Sequence, residues 1–184
     1  FEIIERTDIP LGNGTVSYSI SDENGKINLN AATREALIKV LSASGMEIGE
    51  AQDIVADSIL DWIDKDDDHR LNGTETDYYQ NLDPPYKAKN DFFDSLDELL
   101  KVRGITRELL YGTPEEAIDA GVQPIYIGLI GFLTVQNIKS FNPNTAELGI
   151  LPFYYPEDII GKITQSLEEK GFYNDSLSSH FRIE

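Results

Sequence analysis

The chain has 184 residues, 40% of them hydrophobic, which is enough for one large domain or two small ones with a real core and excludes a disordered polymer. Its 33 acidic and 15 basic residues give a formal net charge of −18, so its surface repels phosphate backbones and anionic head groups and suits divalent cations or basic protein surfaces. Cysteine is absent, which excludes disulfides, thiolate metal sites and a cysteine nucleophile.

A start at Phe1 rather than Met reads as a processed or trimmed chain. The longest apolar run, Ile125 to Val135, falls short of the ~18 residues that span a bilayer. Val16, Tyr18 and Ile20 alternate with Ser17 and Ser19, which predicts a half-buried strand leading into a turn at Asp22-Glu23-Asn24-Gly25. Asn30 then stands as a candidate N-cap before a helix carrying Ala36, Leu37, Val40 and Leu41. A second helix is expected from Glu50 to Ile63, with Ala51, Ile54, Val55, Ile59, Trp62 and Ile63 on one face. Ser95-Leu96-Asp97-Glu98 spells a capping box for a short helix that turns Leu96, Leu99 and Leu100 inward and stops at Gly104. Thr113-Pro114-Glu115-Glu116 is another helix start. The run from Ile125 to Val135 is strand-like or buried, and Phe181 and Ile183 suit the start of a last strand. Phe141-Asn142-Pro143-Asn144-Thr145-Ala146 echoes Ile27-Asn28-Leu29-Asn30-Ala31-Ala32. The second copy precedes the apolar-periodic Ile159, Ile160, Ile163 and Leu167, so a capped helical hairpin is repeated weakly.

The segment after the second helix carries the chemistry. Counted from Asp64, side-chain oxygens fall at loop positions 1, 3, 5, 9 and 12: Asp64, Asp66, Asp68, Asn72 and Glu75. This is the ligand spacing of an EF-hand calcium loop, with the Arg70 carbonyl at position 7 and Leu71 at position 8. Calcium takes six to eight hard oxygens, and a two-residue period turns them to one side. Asp67 and Asp77 are spare carboxylates. His69 stands where a hand has glycine, and Pro84-Pro85 spoils an exit helix. The expectation is therefore a calcium loop rather than a calmodulin-like hand, set against a solvated acidic turn.

Nothing points to catalysis, and no catalytic residue is assigned. The two histidines, His69 and His180, lie in polar settings, and Gly-x-Ser-x-Gly, P-loop and His-Glu-x-x-His patterns are absent. Carboxylates are too plentiful for one pair to stand out as an acid/base couple. Val102-Arg103-Gly104-Ile105-Thr106 is similar to a helix-hairpin-helix turn, which often grips DNA phosphates. Only Lys101, Arg103 and Arg107 are offered there against the surplus of acid, so nucleic acid is not expected as a partner.

Several blocks together resemble the K-type minor pseudopilin of type II secretion systems. They are Asp22 to Asn30, Asp61-Trp62-Ile63-Asp64, Gly73-Thr74-Glu75-Thr76-Asp77-Tyr78-Tyr79, Leu96-Asp97-Glu98-Leu99-Leu100 with Val102 to Thr106, and Asn142 to Ala146, in family order. The resemblance implies an α+β fold: a pilin-like antiparallel strand layer with a large inserted α-helical domain containing helix-hairpin-helix-like units. Residues 1–26 would begin the strand layer, 27–112 would form the insertion with its calcium loop, and 113–184 would return with the second hairpin and a starting strand. It also implies a periplasmic domain, held in the bacterial inner membrane by an N-terminal helix outside this chain. Partners would be the I- and J-type minor pseudopilins at the pseudopilus tip, with other secretion-system subunits. Structural Ca²⁺ in the insertion is implied too, which favours Glu75 and Asp77 as ligands. The function expected is non-enzymatic assembly; the alternatives are a stand-alone extracytoplasmic calcium-binding module or, from the hairpin, a DNA-binding protein.

Overall fold

The computed structural model describes residues 4–114, 118, 121, 126–138 and 140–173. Its chain contacts divide into two units, one of residues 1–26 with 138–184 and one of residues 27–137.

In the first unit, β1 (Ile4–Leu11) pairs antiparallel with β2 (Gly14–Ile20), from Ile4 opposite Ile20 to Leu11 opposite Gly14. The alternating residues do form a strand, yet Val16, Tyr18 and Ile20 are 38%, 46% and 56% exposed rather than half buried. A two-stranded hairpin has no second layer of its own, so alternation sets its register without burying it. A bulge between Arg6 and Ile9 breaks the ladder where the Asp8 N–H donates to the Ser17 hydroxyl at 3.1 Å. The expected turn follows as a 3-10 turn at Glu23–Gly25, capped by Asp22, whose carboxylate also accepts from Asn142 at 2.8 Å and Thr145 at 3.1 Å. The short helix α5 (Leu151–Tyr154) and α6 (Glu157–Lys170) also belong to this unit. Ile163 of α6 is buried, and Phe141 stacks on Tyr154.

The second unit opens on β3 (Ile27–Asn28), which pairs in parallel with β4 (Leu133–Thr134). Between them run α1 (Arg34–Ala43), α2 (Glu50–Ile63), the short helix α3 (Thr76–Tyr79), a 3-10 helix at Leu96–Lys101 and α4 (Arg107–Tyr111). Leu37, Val40 and Leu41 of α1 and Val55, Ile59 and Trp62 of α2 are at most 3% exposed, as the helical period requires of stripes facing one core. Polar links fix α1 to α2: Gln52 donates to the Ser42 hydroxyl at 2.8 Å, and Arg34 pairs with Asp53 and Asp57 at 2.6 Å each. Trp62 packs edge-on to Tyr79 and stacks on Phe93.

One expectation needs correcting here. The N-cap of α1 is Thr33, whose hydroxyl accepts from the Ala36 N–H at 3.2 Å. Asn30 is engaged elsewhere: it accepts from the Phe93 N–H at 2.8 Å and donates to the Phe93 carbonyl at 3.0 Å. Asn28 in turn accepts from the Asn30 N–H at 3.0 Å. The second Asn-x-Asn copy repeats this chemistry within the first unit. Asn142 accepts from the Asn144 N–H at 3.1 Å, and Asn144 takes both backbone groups of Tyr173, at 2.5 and 3.1 Å. The echo in the sequence is thus a duplicated side-chain clamp on distant backbone.

The capping box at Ser95 and Glu98 forms, though it opens a 3-10 helix in which Leu99 is buried and Leu96 and Leu100 are half buried. Gly104 adopts φ +86°, and a Cβ there would meet Val55 Cγ2 at 2.7 Å, so both conformation and space require glycine. Of the run from Ile125 to Val135, the described part holds a 3-10 turn at Leu129–Gly131 followed by β4. The start expected at Thr113 to Glu116 lies only partly inside the described residues, and the strand expected at Phe181 and Ile183 lies outside them.

Candidate metal centre

Asp57, Asp61 and Asp64 follow one another at spacings of four and three, which lines them along one side of α2 and its C-terminal cap. Asp57 and Asp61 are 3% and 0% exposed, on a helix whose opposite stripe is the hydrophobic core. Buried carboxylates need donors, and the acidic loop that follows folds back to supply them. Asp57 accepts from the Asn72 backbone at 3.2 Å and from its side-chain amide at 3.0 Å. Burial pushes the Asp57 carboxyl up, but the Arg34 guanidinium and the Asn72 donors more than offset this and hold it below the usual range. Asp61 accepts from the Thr74 N–H at 2.7 Å and the Arg70 N–H at 3.3 Å. The loop passes so close that a Cβ on Gly73 would lie 1.8 Å from Asp61 Oδ2. Only glycine closes it.

This path delivers Glu75, at the start of α3, beside Asp61 and Asp64. One carboxylate oxygen from each of the three lies within 4.8 Å of the others, and no other such group of three occurs among the described residues. Glu75 is 1% exposed, and neither of its oxygens has a hydrogen-bond partner; Asp64 Oδ1 lacks one as well. Burial first, then the charges of Asp61, Asp64, Asp67 and Asp66, push the Glu75 carboxyl up to about 8. Among the described residues, the cationic side chain that pairs with the cluster is Arg70. Its Nη1 donates to Asp61 Oδ1 at 2.6 Å and also to Asp64 Oδ2. A cation bound at 2.3–2.6 Å to two opposed oxygens holds them roughly 4.6–5.2 Å apart. A separation of at most 4.8 Å leaves room for one cation to reach an oxygen of each carboxylate, and the three unpartnered oxygens are hard donors of the kind calcium takes.

The six residues marked by spacing are distributed as follows. Asp64 and Glu75 are in the cluster. Asp77 is beside it, lining with Asp67, His69, Glu75, Thr76 and Gln80 an open cleft of about 370 Å³, and pairing with His69 Nε2 at 3.0 Å. Asp66 accepts from the Asp68 N–H at 3.0 Å in a local turn, and both side chains are exposed. Asn72 is turned to Asp57. The Arg70 carbonyl accepts from the Gly73 N–H at 3.1 Å. Asp61 was missed, because loop counting starts at Asp64. Its signal was a carboxylate three residues earlier, beside Trp62 on a helix with a buried face.

The family model for type II secretion system (T2SS) protein K matches residues 18–112. The chain belongs to this family. The matched span contains Asp61, Asp64, Arg70, Gly73 and Glu75. A putative type II secretion system protein K of Escherichia coli (strain K12) is 32% identical over 108 residues, covering 52% of this chain and 33% of the relative. Type II secretion system protein K of Pectobacterium carotovorum is 31% identical over 115 residues, covering 54% and 35%. That of Aeromonas hydrophila is 32% identical over 114 residues, covering 61% and 30%. The chain thus spans about a third of the length of the curated protein K relatives it matches. Its fold is shared with a chain in the crystal structure of the GspK-GspI-GspJ complex from the enterotoxigenic Escherichia coli type 2 secretion system. The TM-score is 0.56 at 20% identity, over 80% of this chain and 52% of that one. No helix among the described residues is long and apolar enough to cross a membrane.

Proposed function

We propose that this chain is part of a minor pseudopilin that caps the pseudopilus tip of a type II secretion system, acting through its shape and not through turnover. Family membership and a fold shared with a chain of a GspK-GspI-GspJ complex support this reading. Its partners are the I- and J-type pseudopilins. It works in the periplasm, with an inner-membrane anchor supplied by a helix preceding these residues. The exposed β1–β2 hairpin is read as two strands of a pilin-like layer, and the segments opening at Asn28 and Asn142 as helix-hairpin-helix-like units.

Within the second unit, the protein binds structural calcium through Asp61, Asp64 and Glu75, with Asp77, Asp66 and Asp68 as outer carboxylates. The single observation that supports this best is Glu75, a fully buried carboxylate with no hydrogen-bond partner for either oxygen. Leaving such a group unmatched costs several kcal/mol, roughly, and a bound divalent cation removes that cost. Calcium would supply the positive charge that lets the acidic loop close on α2.

The assembly reading is tested by co-purification. The chain with calcium should be retained by co-expressed I- and J-type subunits, and retention by neither would sink it.

A further inference from the structure

Three carboxylates converge on the centre, but the donors are shared unequally. Asp61 has both oxygens engaged, by Arg70 Nη1 and by the Thr74 and Arg70 N–H groups. Asp64 has one oxygen on Arg70 and one without a partner, and Glu75 has no partner at either. A single guanidinium therefore faces three carboxyl groups and cannot match their charge once all three are ionised. A divalent cation makes up that deficit. On the side that Asp61 and Asp64 turn to Arg70, however, it competes with Nη1 for the same two oxygens, and two cations in one such space repel. Arg70 has somewhere to go: its side chain is 37% exposed, while that of Asp61 is 0% exposed. It is also tethered through the backbone, where its own N–H donates to Asp61 at 3.3 Å, a bond separate from the guanidinium.

Resting on the calcium reading above, we propose that Arg70 is a tethered competitor for the cation. Its guanidinium clamps Asp61 and Asp64 in the metal-free protein and swings out to solvent when calcium binds. The clamp keeps the end of α2 and its loop in the binding shape before metal arrives. It also weakens apparent affinity by the fraction of molecules in which it is closed. Selectivity follows from charge alone: a monovalent ion brings no more charge than the guanidinium it would displace, and a divalent ion brings one more.

The test is calorimetric titration of calcium chloride into the chelator-stripped chain, wild type against Arg70→Gln. The variant should bind calcium tighter by about tenfold or more, and its metal-free melting temperature should be lower than that of wild type. Equal or weaker binding by a folded variant overturns the clamp and leaves calcium binding intact. An absence of calcium binding in both proteins overturns the two together. Should Arg70→Gln not fold, the wild type decides the matter through the ¹⁵N resonance of the Arg70 Nε–H. That resonance should move to the position of a free guanidinium, with faster water exchange, as calcium saturates the site. A resonance unchanged at saturation, or no saturation at all, overturns the proposal.

Discussion

Glu75 is the residue on which pH and calcium act together. Without a cation, burial and four neighbouring aspartates raise its carboxyl from an ordinary 4.5 to about 8. The folded chain then holds a proton that the unfolded chain has released. Its share of stability is full below pH 4.5 and is lost as pH rises through about 8. In chelator, the melting temperature should therefore fall between pH 5 and pH 8, and saturating calcium should remove most of that slope. At about 100 times Kd, calcium adds roughly 2.7 kcal/mol, or roughly 2–4 °C per kcal/mol for a chain of this size. Glu75→Gln keeps the shape, needs no proton, and should show neither the slope nor the calcium shift. Identical melts with calcium and chelator in the wild type would count against the site. Asp57 works in the opposite sense: its carboxyl is held below the ordinary 3.8, so its share is present above that pH and lost on acidification below it.

The elements show what a local reading captures and where it stops. Helix α2 runs from Glu50 to Ile63 as its apolar period and polar sequel prescribe, and the capping box at Ser95 and Glu98 forms as written. Both signals lie within a few residues of the structure they specify. The cap of α1 went to Thr33 because the oxygen of Asn30 is taken by a backbone amide 63 residues away. Asp61 was hidden likewise: its donors come from Arg70 and Thr74, nine and 13 residues on, through a turn that no period describes. The turn from Val102 to Thr106, expected from sequence to be like a helix-hairpin-helix, is used internally, with the Arg103 N–H on the Tyr79 hydroxyl and Arg103 Nη1 on Thr74. Asn30→Ala strands both backbone groups of Phe93 and should cost about 1–3 kcal/mol, with faster amide exchange at Phe93. Asn144→Ala should leave Phe93 exchange and calcium binding unchanged. Undiminished protection at Phe93 in Asn30→Ala would remove the clamp from the account.

For the whole molecule, composition anticipated an acidic protein with a real core, and the core residues of the second unit bear that out. It could not say that the unit would extend from Ile27 to Asn137 or that β2 would be exposed, since both depend on contacts remote in sequence. Charge remains a property of the entire chain. With a formal −18, self-repulsion opposes folding most at low ionic strength. Raising sodium chloride from about 0.01 M to about 0.15 M shortens the Debye length from roughly 30 to roughly 8 Å and should raise the melting temperature in chelator. A melt unaffected by salt would mean that the loop carboxylates are already neutralised or protonated.

The paired asparagine clamps have a consequence of another kind. Each joins segments distant in sequence, Asn30 to Phe93 and Asn144 to Tyr173, by hydrogen bonds that, unlike a disulfide, hold only in the folded state. With no cysteine in the chain, these closures are built from amides alone. They need no oxidant to form and no isomerase to correct, and they are indifferent to reductant. These contacts form with the fold itself, whatever the redox compartment.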